Sequence, residues 1–189
     1  MARHGGYVLR AIRSAEWERV RELRLAALRD PLAPLAFVES YEEAAARPDG
    51  FWQERAEGGS EDGGTRIRQF VAEGPDGRWA GTVTVFVELP EDGKSLFGDE
   101  VTVPQVDVVG VYVRPEARGS GLVDALFATV LEWAWALDAG VERARLYVHE
   151  DNVRAAAAYR RLGFVATGGR ADTVGSGELH DLEYVLRRP

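Results

Sequence analysis

Between residues 106 and 138 the chain reads VDVVGVYVRPEARGSGLVDALFATVLEWAWALD, and this stretch limits the fold more than any other. VDVVGVYV is apolar at almost every position, which predicts a strand buried in the middle of a sheet. Gly110 within it predicts a bulge, or a place where another backbone or a ligand comes close. After the loop ARGSG, Leu122 to Asp138 predicts a helix that is apolar around most of its circumference and therefore lies against the sheet. Strand, glycine loop and helix form an anion-binding arrangement, because the first turn of a helix leaves N–H groups unpaired and carries partial positive charge. Arg118 adds a full charge. The loop lacks the Gly-Lys-Ser/Thr ending of a Walker motif, and Asp124 stands where a dinucleotide fingerprint has glycine.

The flanking sequence fills in the layers. YVLRAI (7–12) predicts an opening strand, and Ser14 caps a helix running to about Asp30, with Trp17, Val20, Leu23, Ala27 and Leu28 at helical spacing. Pro31 and Pro34 end it. Ser40 and Glu43 have capping-box spacing for a shorter second helix, interrupted at Pro48, Asp49 and Gly50. EGGSEDGG (57–64) has the composition of a mobile loop. RQFVAE and WAGTVTVFVE predict two strands joined by a tight turn at Asp76 and Gly77. Residues 89 to 105 form a long connection whose Phe97, Gly98 and Asp99 either approach a ligand or belong to a surface loop. RARLYV, a helix from Asn152 to Leu162 closed by Gly163, FVATG and GELHDLEYVLRR complete the order. The result is an α/β fold: a mixed, mostly antiparallel twisted sheet of about seven strands flanked by about four helices, in one domain over 1–189.

Bulk properties exclude several functions. A net charge of −8 and a pI near 5.0 argue against nucleic acid as a partner. The chain has no cysteine, which removes disulfides, thiolate nucleophiles and cysteine metal sites. His149, Glu150 and Asp151 are consecutive in a turn and point in different directions, so no metal site is expected. The opening residues lack a signal-peptide core and no segment approaches the roughly 18 apolar residues of a membrane span, so a cytoplasmic protein without a membrane partner is expected.

Asn152 and Tyr159 lie two helical turns apart on one face, and Tyr159 leads into RRLGF. With VYVRPEARGSGLVDALFATVLEWA upstream and LYVHEDNVRAAAAYRRLGF downstream, the sequence resembles the GNAT superfamily of acyl-CoA-dependent N-acyltransferases; RELRLAALRDPLAPLAF resembles its substrate-side helix. The resemblance implies a GNAT-like fold with a splayed central strand pair, an acceptor side in residues 7–65 and an acyl-CoA-binding core in 66–189. It implies acetyl-CoA as cosubstrate, with pantetheine pairing to strand backbone at Val111 and Val113 and the pyrophosphate on Arg118, Gly119, Ser120, Gly121, Leu122 and Val123. Asn152 would contact the cofactor arm. Tyr159 would be the general acid that protonates the departing thiolate, and Asp107 the general base for a primary amine that attacks the thioester directly, with Glu150 and Asp151 as second choices. A homodimer is the candidate assembly. The subgroup that acetylates protein N-termini usually has glutamate where Tyr147 stands.

Each assignment has an alternative. Asp107 in an apolar strand also suits a buried hydrogen-bond network, and Tyr159 also suits helix packing. Val123 is branched where the family's loop has a small residue, and the charge of Asp124 would oppose a pyrophosphate unless it points to water beside Glu132 and Asp138. A non-catalytic acyl-CoA-binding or protein-interaction module on the same fold is therefore the competing reading. The acceptor, a small molecule or a peptide amine, is open too. Residues 39–62 hold eight acids against two bases, which would attract a cationic amine, whereas Arg21, Arg24 and Arg29 would attract a carboxylate or phosphate.

Overall fold

The computed structural model describes residues 2–172 and 180–189. The strands are β1 (Ala2–His4), β2 (Tyr7–Ala11), β3 (Ile67–Glu73), β4 (Trp79–Glu88), β5 (Gln105–Val113), β6 (Arg143–His149), β7 (Val165–Ala171) and β8 (Asp181–Arg187). The helices are α1 (Trp17–Leu28), α2 (Tyr41–Ala45), α3 (Asp49–Gly59), α4 (Leu122–Trp135) and α5 (Val153–Arg161). Among the described residues, eight strands form one sheet in the order β1-β2-β3-β4-β5-β6-β8-β7, antiparallel except for β5 and β6. The strand beyond the expected seven is β1, whose three residues are too few for a hydrophobic alternation to register. The last predicted strand, GELHDLEYVLRR, begins at residues 177–179, which lie outside the described residues, and is observed from Asp181.

Local chemistry accounts for the element ends. Ser40 Oγ accepts from the Glu43 amide at 3.2 Å while Glu43 Oε2 accepts from the Ser40 amide at 2.8 Å, so the capping box forms. Pro48 then separates α2 from α3. The segment expected to be a mobile loop is partly built in: Glu57 to Gly59 finish α3, and Ser60 is fully buried with its carbonyl accepting from the Arg68 guanidinium. Ser60 is held by partners at Glu57 and Arg68, which composition does not report.

The sheet carries a core on each face. Phe70 and Ala72 of β3 join the cluster that holds α4 and α5, while Val71 between them joins the cluster of α1, α2 and α3, as the two-residue repeat of a strand requires. The decisive feature lies between β5 and β6. They pair in parallel only at Gln105–Arg143, Val106–Ala144 and Asp107–Arg145; beyond that point β5 pairs with β4 alone and β6 with β8 alone. The central pair is thus splayed. On β5 the register shifts against Thr82 and Thr84, and Gly110 there adopts φ +61°, so the bulge bends β5 where it parts from β6.

Candidate active site

The fork opens into a cleft of about 150 Å³ walled by the end of β5, the glycine loop, α5 and the α1–α2 connection. Val111, Val113, Arg118, Val123, Asn152 and Tyr159 all line it. The Arg114 amide donates to Ala80 O on β4 at 2.8 Å, and alternation turns the N–H and C=O of Val113 the other way, into the fork. That carbonyl accepts from Arg118 Nε at 2.9 Å. Arg118 also forms an ion pair with Asp30, a side chain only 4% exposed, so its charge is held across the cleft mouth against α1.

Gly121 is the residue before α4, at φ +79°, a left-handed conformation that favours glycine, and no side chain caps the helix. The first-turn N–H groups of α4, from Leu122 onward, are left to a ligand or water. A Cβ at Gly119 would meet nothing within 4 Å, so the loop surface is open at that point. Ser120 Oγ is turned inward, donating to Ala117 O at 2.7 Å, while Ser120 O meets His4 Nε2 at 2.8 Å. The β1 hairpin therefore braces the loop from behind. Asp124, whose charge would oppose a pyrophosphate unless it pointed to water, is partly exposed and also held by Arg161 of α5 in a two-pronged pair at 2.6 and 3.3 Å. Its charge is offset from a partner 37 residues away, and the pair ties the two helices that flank the cleft.

Asn152 Oδ1 accepts from the Ala155 amide at 3.2 Å, capping α5, and its Nδ2 reaches Leu35 O at 3.5 Å. In the last turn of α5, the Tyr159 ring packs against Phe127 and Phe164, with centroids 5.5 and 6.2 Å away. Tyr159 is 8% exposed, and its hydroxyl has no hydrogen-bond partner among the described residues. Burial pushes the phenol well above the ordinary tyrosine value, so it is protonated across the neutral range.

Asp107 is not in the cleft. It is fully buried, with Oδ1 and Oδ2 at 2.7 and 2.8 Å from Arg145 Nε and Nη2. Glu88, Asp99 and Glu183 also pair with this one guanidinium, the last at 3.6 Å. Burial pushes the Asp107 carboxyl up, to about 7, against the pull of Arg145. This is the hydrogen-bond network of the alternative reading, and Asp107–Arg145 is also the last β5–β6 pair, at the base of the fork. The long 89–105 connection closes over the same network: Asp99 reaches Arg145, and Phe97 stacks edge-on with Tyr147 at 4.6 Å. Glu150, the other base considered, pairs with Arg170 and His180, and neither Glu150 nor Asp151 lines the cleft.

Residues not singled out from the sequence also shape the site. Asp30, Phe37 and Tyr112 line the cleft, and His4 braces its loop. Phe37 and Tyr112 also wall a second, smaller hollow that contains Arg24 and Arg55. Of these, the sequence singled out only Arg24, as one of three arginines, with Arg21 and Arg29, that would attract a carboxylate or phosphate.

A forked central strand pair, a glycine turn opening onto an uncapped helix and a buried tyrosine in the wall between them define the class: an acyltransferase of the acyl-CoA-dependent type. The chain belongs to the acetyltransferase (GNAT) family, whose model matches residues 17–164. No curated protein matches the sequence. Among solved structures, the chain is similar to the PaiA N-acetyltransferase of Thermoplasma acidophilum in complex with coenzyme A (14% identity, 96% of this chain and 99% of that one, TM-score 0.70). It is also similar to a spermidine N-acetyltransferase SpeG chimera from Vibrio cholerae and hSSAT (17%, 97% and 96%, 0.66) and to Arabidopsis thaliana NAA60 in complex with acetyl-CoA (20%, 96% and 98%, 0.64). At these identities the likeness is one of fold.

Proposed function

We propose that this protein transfers an acetyl group from acetyl-CoA directly to a primary amine, with Tyr159 donating the proton that the departing thiolate needs. The observation that carries the reading is the Tyr159 hydroxyl: protonated, carried on a largely buried ring in the cleft wall and without a partner among the described residues, so its proton is available to a group in the cleft. The thioester supplies an activated acyl carbon. In the transfer the C–N bond forms, the C–S bond breaks, the thiolate takes the Tyr159 proton, and the proton lost by the amine returns to the phenolate through solvent. The open N–H of Val113 and the first-turn amides of α4 support binding of pantetheine and pyrophosphate at Val111, Val113, Gly119, Ser120, Gly121, Leu122 and Val123. Arg118 contributes charge at the loop while bound to Asp30. Asn152 is assigned to the cofactor arm because it combines a capped helix start with an amide lining the cleft. The base role is not carried over to Asp107, whose two oxygens are both taken by Arg145.

The competing module reading draws on two features: the Val123 side chain in the cleft and the engagement of Arg118 by Asp30 and Val113 O. Calorimetry and a thiol-release assay separate the two. Transfer predicts acetyl-CoA binding and amine-dependent release of one thiol per acetyl; a module predicts binding with no release above the hydrolysis background. No binding of acetyl-CoA contradicts transfer and an acyl-CoA-binding module and leaves the protein-interaction module.

A further inference from the structure

The smaller hollow beside the cleft lies under α1 and α3 and is floored by Gln69 and Thr82 and by Thr84 opposite the Gly110 bulge. At about 20 Å³ it admits a group the size of a water or two, not a whole acceptor. Two guanidiniums face it. Arg24 packs on the Phe37 ring at 4.5 Å and reaches Glu39 only at 3.3 Å or more. Arg55 has no hydrogen bond or ion pair with any described residue. Arg55 is exposed and lines the hollow, as for a side chain at its mouth.

The charge balance there is uneven. Glu39 is the one carboxylate paired with Arg24, and it is shared with Arg47 at 3.6 Å, so three arginines meet a single acid. Both hollow-lining guanidiniums sit below the ordinary arginine value, through burial first and, for Arg24, through the neighbouring Arg55 charge second. Arg24 and Arg55 have only Glu39 near them, and it is shared with Arg47, so the cluster keeps a net positive charge that an oxyanion between the two hollow-lining guanidiniums would offset. No acid of segment 39–62 lines the hollow itself; apart from Glu39, Glu43 caps α2, Asp49 pairs with Arg21 and Glu61 pairs with Arg13.

We propose that Arg24 and Arg55 hold a compact oxyanion of the acceptor, a carboxylate or phosphonate, so that the acetylated amine belongs to an anionic molecule rather than a polyamine. Phe37 and Tyr112 wall both the hollow and the cleft, so an anion anchored here leaves the rest of the acceptor beside the cleft that contains Tyr159. The assignment rests on the acetyl-transfer reading for its meaning as an acceptor site, but the anion site is tested without turnover.

With the protein saturated in CoA, N-acetyl-L-amino acids and their carboxamides are titrated by calorimetry, and N-acetyl-2-aminoethylphosphonate tells phosphonate from carboxylate. Acids, or the phosphonate, are expected to bind at least tenfold tighter than the amides. Arg55→Ala is expected to erase the difference and Arg55→Lys to keep part of it, with the acetyl-CoA Kd unchanged in both. In thiol release, amino acids or 2-aminoethylphosphonate are expected to outpace spermidine by tenfold or more in kcat/KM. Equal binding of acids and amides, discrimination that survives Arg55→Ala, or a preference for spermidine overturns the proposal. Loss of acetyl-CoA binding in wild type would instead overturn the transfer reading while leaving an acid-over-amide preference standing for the anion site.

Discussion

Replacing Arg145 with methionine should be among the most damaging single changes in this protein. The guanidinium is fully buried and serves Asp107, itself fully buried, together with Glu88, Asp99 and Glu183. Removing it leaves the Asp107 carboxyl, already pushed up to about 7 with Arg145 in place, buried without its partner or forced to take up a proton, and removing one partner of a buried pair costs about 3–5 kcal/mol. With a urea m-value of about 2 kcal/mol/M, the midpoint should fall by roughly 2 M, and the melting temperature by on the order of 10 °C. Glu88 keeps partners in the Gln105 amide at 2.7 Å and the Leu96 N–H, so the deficit concentrates on Asp107. The double variant Arg145→Met/Asp107→Leu should therefore recover more than half of the loss, because an apolar pair replaces a charged one. Urea denaturation followed by tryptophan fluorescence reads both variants. A single-variant loss below 1 kcal/mol, or no recovery in the double, would refute the view that this pair holds the base of the fork as a compensated buried charge.

Two further outcomes follow from the charge network. Asp124 and Arg161 are both partly exposed, so breaking their pair should change stability by under about 1 kcal/mol. Arg161→Ala should nevertheless weaken acetyl-CoA binding several-fold at low salt by uncovering Asp124 beside the loop, and Asp124→Asn added to it should restore affinity; calorimetry at two ionic strengths checks this. For Glu16 and Glu73, burial raises the carboxyls, but it is outweighed by hydrogen bonds and charge from Arg10 and Arg19, and for Glu16 by the Arg13 amide, so both lie below the usual value. Their contribution is fully present above the unfolded value of about 4.3 and is lost as pH falls through the depressed folded values. Melting temperature should thus drop below about pH 4.5, and Glu73→Gln should flatten that drop; an unchanged slope would contradict it.

What the sequence made legible was what short-range physics encodes. The Ser40–Glu43 box, the Asn152 cap, the Gly110 bulge and the apolar run of β5 are each written within a few residues, and each is found. The cleft-lining positions were reachable because the glycine loop and the α5 face sit in one recognisable order. Illegible features depend on partners far apart in the chain. Arg145 lies 38 residues from Asp107, and nothing local marks that carboxylate as the centre of a buried network. Asp124 reads as an intruder until Arg161 is beside it, and Arg55 reads as one charge in an acidic segment until the hollow is seen around it. β1 is too short to carry a pattern, yet it places His4 behind the loop.

The proton-donor role of Tyr159 is tested most directly by Tyr159→Phe, which deletes a hydroxyl that has no hydrogen bond to lose among the described residues while leaving the ring on Phe127 and Phe164. Measured by thiol release and by calorimetry on the same preparation, kcat should fall by about 10²–10⁴-fold while the acetyl-CoA Kd stays within about threefold. A kcat within threefold of wild type, or a loss of affinity equal to the loss of rate, would contradict the account.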